Sequence, residues 1–554
     1  MTFTQVFDPL GSIGISALVA FLPIVCFLLC LLVIKLKVYI SAFITVVFAG
    51  VLAFAVYGMP LNLIGASFSQ GFVNGIWPIA WIIVAAIFLY KIADKSGSME
   101  IIKTSIMQIT PDARVQVILI GFCFGSFLEG AIGFGGPVAI TAMLLVGLGL
   151  KPIQAAGLCL VANTAPVAFG AVGIPIIAMT NMLGIEQYSI SAMAGRLLFP
   201  FSFCIPFVVV FLMDGFKGVK ETFAPVFVAA LSFVVTQYLS SNYLGAELPD
   251  ILSAVVSIAC TAGFLKITGW RAKGEYKLEG SESKEVKAAQ SSESIPFGRV
   301  VKAWSPFILL IALVVLWTFP QVKAAISSWS SFTIPFESIF GGQVLHPETG
   351  KVVGMNLGIS LIVGQAGTAI LIAALISIFI LGTSGEKVVS SAKETIKEMF
   401  WPCVTIGLLV SFAMISKNSG MGNTLGMAFA QTTGNLYAFF SPVVGWLGVF
   451  LTGSDTSSNL LFGTLQQAAA LELDGALQAL FIAANSVGGV VGKMISPQSI
   501  AVACGAVGLL GRESELLKYT LKKSIVLVIL IGIWTLIIAT FLQGFIPEIV
   551  PLVK

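Results

Sequence analysis

The sequence predicts an all-α polytopic membrane protein built from two inverted-topology repeats, with about twelve transmembrane helices, two re-entrant hairpins, and two of the helices broken. Three observations lead there. The 554 residues are 57% hydrophobic and only 10% charged, with a mean hydropathy of +1.00, whereas soluble domains carry roughly 25% charge. Many apolar runs reach the roughly 17–25 residues that a membrane-crossing helix needs. The second half of the chain also replays landmarks of the first at a nearly constant offset.

Taken in order, the first spans cover about 13–34 and 38–57, joined through Lys35 and Lys37. A weakly polar stretch, 61–75, reads as interfacial, and a third span opens at Trp77-Pro78 and closes at Lys91. An amphipathic segment, 91–114, belongs at the surface. Two apolar arms over 115–150 then flank GSFLEGAIGFGGP (125–137), and the stretch 152–183 is interrupted by ANTAPVAFGAVGIP (162–175). Single spans follow near 196–213, 222–240 and 250–266. A Ser/Glu/Lys-rich linker over about 270–298 is too polar to pack and separates the halves. Spans near 301–319 and 355–382 lead to a polar stretch, 386–400, and to Trp401-Pro402. An apolar segment over 436–471 encloses GSDTSSNLLFG (453–463), and ANSVGGVVGKMISP (484–497) comes next. The division is a first repeat over 1–215, connecting spans and a cytoplasmic linker over 216–300, and a second repeat over 301–554.

Four landmarks define the repeat. The Trp-Pro pairs are offset by 324 residues, KIADKSG and MISKNSG by 323, Phe134-Gly135 and Phe462-Gly463 by 328, and the two Ala-Asn segments by 322. The last match equates Asn163 with Asn485, Gly170 with Gly492 and Pro175 with Pro497. Charge gives the orientation, because Lys and Arg favour cytoplasmic loops. Lys91, Lys95, Lys103 and Arg114 follow the first Trp-Pro span, whose later equivalent is followed only by Lys417. Conversely 61–75 is uncharged, while 386–400 holds Lys387, Lys393 and Lys397. The copies therefore face opposite ways, with both termini, Glu247 and Asp250 outside, and the linker, Lys217, Lys220 and 512–523 inside.

Composition also excludes. The eight cysteines form no CxxC pair and read as small buried hydrophobes. His346 is the sole histidine and lies in a loop, which argues against His-based zinc sites and serine–histidine chemistry. A net charge of +4 confined to loops does not suggest nucleic acid. Neither a P-loop nor a nucleotide fingerprint in a strand–turn–helix setting is present, no cofactor or metal is expected, and nothing points to an enzyme. The segment before the first span carries Asp8 and no Lys or Arg, unlike a signal peptide.

Broken helices in inverted repeats are the architecture of secondary transporters, with the binding site near the midplane. A helix restarting in mid-membrane offers free N–H groups and a partial positive charge to an anion. Polar groups in these breaks cost several kcal/mol unless paired or wetted, so intramembrane Asp455 and Glu129 are the leading candidates. Asp455 either caps the second arm or binds substrate or a proton. Glu129, matched by Ser457 at the 328 offset, either carries the coupling proton or bonds the glycine-rich turn. Lys493, standing where the first copy has Ala171, holds a substrate carboxylate, pairs with Asp455, or snorkels to the interface. Asn163, Thr164, Asn485 and Ser486 fall at the helix breaks, where they contact ligand or satisfy loosened backbone. Arg196 reads as an anchor, and Trp77 and Trp401 as interfacial belt residues.

At GSFLEGAIGFGGP, ANTAPVAFGAVGIP and GSDTSSN the chain resembles the lactate permease family of bacterial proton-coupled 2-hydroxymonocarboxylate transporters, essentially over its full length. The resemblance implies uptake of L-lactate, with D-lactate and glycolate as further substrates, by proton symport across the plasma membrane. It also implies membership of a wider ion-transporter superfamily whose scaffold and transport domains commonly assemble as homodimers. Residues expected at substrate are Ser126, Gly130, Asn163, Thr164, Ser454, Thr456, Asn459, Asn485, Ser486 and Lys493, with Glu129 and Asp455 coupling protons. The alternative is a sodium-coupled carboxylate transporter of the same fold. A channel explains recurrent broken hairpins poorly.

Overall fold

The computed structural model describes residues 2–133, 135–271, 295–318, 321–322, 325–326, 330–347, 350–360 and 366–551. Among them, twelve helices are long and apolar enough to cross a membrane. The expected total holds although its membership differs: Ala366–Leu381 has only 16 residues, and the hairpin arm Ala113–Ala131 joins the twelve. Phe134 and most of the hydrophilic linker lie outside the described residues.

The stretch 61–75 is not a separate interfacial segment, nor is 386–400 a polar stretch apart from the span that follows it. Each is the first half of a 35-residue helix, Leu61–Lys95 and Gly385–Ser419, and these ranges repeat the 324-residue offset of the Trp-Pro pairs. Thirty-five residues extend about 52 Å, well beyond a hydrocarbon core of about 30 Å, so the charged half of Gly385–Ser419 emerges from it. Trp401, 48% exposed, marks the junction with the buried half. Trp77 is non-helical (φ −135°, ψ 113°) just before Pro78, which lacks an N–H to continue the ladder.

These two helices run antiparallel. Gly71 and Gly75 lie against Ser411 and Gly407, where a Cβ would come within 2.4 and 2.6 Å of the opposing Cα atoms. Such small-xxx-small faces bring backbones together where lipid supplies no hydrophobic drive. At one end Lys91 meets Glu398 at 2.8 Å and Lys95 meets Glu394 at 2.5 Å. Opposite chain directions are what equivalent helices in inverted repeats require.

The membrane body carries a small β-structured cap that an all-helical reading omits. The span expected over 355–382 starts only at Ala366. Before it, Ser331–Ile334 pairs antiparallel with Leu357–Ser360. Thr2–Thr4 runs parallel to Gln343–Leu345, which pairs with Val352–Val353, and His346 follows in the loop. Short β-branched runs broken by Gly, Pro and charge form strands more readily than a lipid-facing helix.

Two arginines tie segments together. Arg114, at the base of the first hairpin and 1% exposed, binds Asp112 at 2.9 Å, Asp214 at 2.8 Å and Glu221 at 2.7 Å. Arg196 binds Asn242 Oδ1 at 2.9 Å and the Phe545 carbonyl at 2.6 Å, fulfilling the anchoring role.

Candidate functional site

Two hairpins and two broken segments meet at the site. The first hairpin (Ala113–Ala131 and Gly136–Gly147) turns through Gly133 and Gly135, whose φ values of +59° and +81° suit glycine. The second (Tyr437–Thr452 and Asp455–Leu473) turns at Gly453. Ser454 caps its second arm, accepting from the Ser457 N–H at 3.3 Å, so capping does not fall to Asp455. Gly463 lies inside Asp455–Leu473 under Met179 and Met182. It is therefore not the structural counterpart of Gly135, and Ser457 is not that of Glu129.

The first broken segment, Pro152–Ala162 and Val167–Leu183, bends by 66°. Pro166 stops the helix, and Ala171, Val172 and Gly173 then take left-handed φ of 47°, 58° and 75°. Such a conformation in a β-branched residue costs about 1–3 kcal/mol and is held by its surroundings. In the second segment Gln478–Lys493 runs unbroken through Asn485 and Ser486, and the break falls at 494–496. Asn485 and Ser486 therefore do not sit at a break, because Gly488 replaces the proline and lets the helix continue. Ser496 caps the restart, accepting from the Ser499 N–H at 3.2 Å.

A cavity of about 60 Å³ opens among these pieces, lined by Glu129, Gly170, Ala171, Ser454, Asp455, Thr456, Lys493, Gln498 and Ser499 among others. That volume holds several waters or a small solute. Three helices, Gly136–Gly147, Asp455–Leu473 and Pro497–Ala506, begin at its wall, and their free N–H groups favour an anion. Lys493 Nζ donates to Glu129 Oε1 at 2.5 Å, and Asn163 Nδ2 donates to Glu129 Oε2 at 3.2 Å. With Lys493 only 7% exposed, snorkelling is ruled out, and its partner is Glu129 rather than Asp455. Ser486 Oγ donates to Asp455 Oδ2 at 2.5 Å.

The remaining nominated residues stand back from the cavity. Asn485 Nδ2 donates to Asn459 Oδ1 at 2.8 Å, and Asn459 Nδ2 donates to the Pro175 carbonyl at 3.1 Å. Gln466 Nε2 donates to Asn485 Oδ1 at 3.0 Å, completing a chain that joins the second hairpin to both broken segments. Thr164 Oγ1 bonds the Val161 carbonyl in its own segment at 2.7 Å. Ser126 is buried behind the wall, and Gly130 packs on Asp250, where a Cβ would lie 2.7 Å from the aspartate's own. Sequence reasoning missed Gln498 and Ser499, although Ser496-Pro497 is a helix-start signature that could have placed them. Asp250, expected at the outer end of the span 250–266, is instead buried against Gly130, and nothing in its neighbourhood signals that packing.

Comparison with known proteins identifies the family. The family described as L-lactate permease matches residues 16–542. The glycolate permease GlcA of Escherichia coli K12 is 47% identical, covering 98% of this chain and 99% of that protein. The L-lactate permease of the same strain is 46% identical over 98% and 99%, and that of Bacillus subtilis 168 is 46% identical over 98% of each. Among solved structures, the Alcanivorax borkumensis YdaH transporter aligns over 86% of this chain and 88% of that one, at 16% identity and a TM-score of 0.44. Twelve apolar helices and a family of permeases make this a multi-pass protein of the bacterial plasma membrane. The chain belongs to the L-lactate permease family.

Proposed function

We propose that the protein imports L-lactate and related 2-hydroxymonocarboxylates, D-lactate and glycolate among them, by proton symport. The observation that carries the reading is the Glu129–Lys493 pair in a cavity walled by three helix N-termini. In the empty carrier Glu129 occupies the cation. A substrate carboxylate needs Lys493 as its point charge, and a proton taken up by Glu129 releases it. Anion and proton then load together, and the occupied site gains no net charge to carry across. The N–H groups at the starts of Asp455–Leu473 and Pro497–Ala506 meet the carboxylate, and Ser454 or Ser499 meets the 2-hydroxyl. Antiparallel packing of Leu61–Lys95 on Gly385–Ser419 supports reading 1–215 and 301–554 as inverted repeats joined through 216–300, the frame within which such a site alternates.

Radiolabelled L-lactate uptake into proteoliposomes tests this, with acid and sodium gradients imposed separately. Accumulation driven by inward acid and not by sodium is expected. Glu129→Gln should retain lactate–lactate exchange while losing acid-driven accumulation. Sodium drive would replace the coupling ion, and accumulation by Glu129→Gln with wild-type pH dependence would remove Glu129 from the mechanism.

A further inference from the structure

The cavity is lined by residues of two kinds. Lys493 and Asp455 belong to a polar part, while Val167, Ala171, Pro175 and Val502 offer it only hydrocarbon. At the 322-residue offset Ala171 is the first copy's counterpart of Lys493. One broken segment therefore brings a cation to the cavity and the other a methyl group. Corresponding positions build a site that is chemically asymmetric.

The helix Pro497–Ala506 sets the two kinds in order along its axis. Gln498, Ser499 and Val502 all line the cavity, and spacings of three and four residues put them on one face. The polar pair stands in the first turn, where N–H groups are free. Val502 follows one turn later, about 5.4 Å along the axis. Its Cβ tilts back toward the helix start, so its side chain covers the surface over that first turn. A β-branched residue in a helix holds essentially one χ1 rotamer, which keeps this wall from swinging aside. Val502 and Ala171 both face the turn of the first hairpin. A Cβ on Gly135 would lie 3.7 Å from Val502, and one on Gly133 would lie 3.0 Å from that of Ala171.

A 2-hydroxy acid bound with its carboxylate at Lys493 and the helix starts spends the polar lining on its carboxylate and hydroxyl. The group on C2 is left to the apolar lining, since an alkyl group laid over buried polar atoms would cost them their partners. We propose that Val167, Ala171, Pro175 and Val502 form the subsite for the C2 substituent, and that Val502 is its specificity-determining residue. It admits hydrogen or methyl and rejects longer chains. The proposal rests on the 2-hydroxymonocarboxylate reading above and is indifferent to which ion drives transport.

Counterflow exchange by the full-length protein in proteoliposomes, with neither a pH nor a sodium gradient, supplies the test. Unlabelled glycolate, L-lactate and 2-hydroxybutyrate compete with labelled glycolate. Only ratios of their apparent affinities within one preparation are read, so the amount of active protein cancels. In the wild type, 2-hydroxybutyrate should compete roughly tenfold or more weakly than lactate, the discrimination that one methylene allows in an apolar pocket. Val502→Ala should close most of that gap. Val502→Leu should act the other way and weaken lactate against glycolate by about fivefold or more, because the subsite is then overfilled. A wild type that takes lactate and 2-hydroxybutyrate equally would overturn the proposal, and so would ratios that neither variant moves. Both results leave lactate exchange, and with it the functional reading, in place. A wild type that exchanges neither glycolate nor lactate would remove that reading and the subsite together.

Discussion

The two broken segments share landmarks of sequence, and one of the positions at which they differ decides where each helix stops. Pro166 in the first is Gly488 in the second at the 322-residue offset. The proline opens a polar break at 163–166, exposing the Ala165 carbonyl to Gln237 and aiming Asn163 at Glu129. The glycine lets the helix run on and lie against Tyr437–Thr452, with no room for a side chain. The first segment is distorted once more at 171–173, ahead of Pro175, and the second breaks for the first time at 494–496, ahead of Pro497. The difference teaches that one copy is interrupted to wall the site and the other stays continuous as a mast carrying Lys493.

Exchanging the diverged residue should break the comparison most severely. In Gly488→Pro the N–H is lost, and the new Cβ would lie 1.8 Å from the Pro442 carbonyl oxygen. A cost above about 3 kcal/mol and loss of monodisperse protein on size exclusion are expected. The reverse change, Pro166→Gly, should leave a folded protein with impaired uptake, and a folded Gly488→Pro would refute the mast.

Next come the side chains that each segment sends to a carboxyl. Ser486→Ala removes a donor from Asp455, which has no ion-pair partner in the described structure. Asn163→Ala removes one from Glu129, which keeps Lys493. Losses of about 1–3 kcal/mol are expected for the first and about 1 kcal/mol for the second, read as a larger fall in uptake kcat/KM for Ser486→Ala. The opposite ranking would mean that Glu129 depends on Asn163 more than on Lys493.

The smallest contrast lies in the second break. Val172 holds a left-handed φ of 58°, whereas its counterpart Met494 is ordinary at −65°. Val172→Gly should raise thermal stability, by up to about 1 kcal/mol, offset in part by the lost buried side chain. Met494→Gly should lower it by about 0.5–1 kcal/mol or more. Shifts of the same sign in both would show that the left-handed run carries no strain.

Much of this was legible in the chain. The Trp-Pro offset paired two segments whose full helices extend well ahead of the Trp-Pro pairs, and proline and glycine clusters located both hairpins and the first break, because these residues act through local backbone geometry. The Glu129–Lys493 pair was not legible, since 364 residues separate its members and only tertiary packing joins them. Gly463 misled because its identity matches Gly135 while its role is close packing within a helix. Asn485 and Ser486 looked like a break because their first-copy equivalents are one, although the residue that decides stands two positions beyond Ser486.

The Glu129–Lys493 pair also has a consequence for how the protein is made. Ribosomes add roughly 5–20 residues per second, so Lys493 emerges roughly 20–70 s after Glu129. Throughout that interval the first hairpin has its acid and not its base. Taking an unpaired carboxylate out of water is unfavourable, so the first hairpin gains its compensated seat only when the last broken segment arrives. That segment completes both the site and its charge balance, which ties the final packing of the first half to the end of the chain.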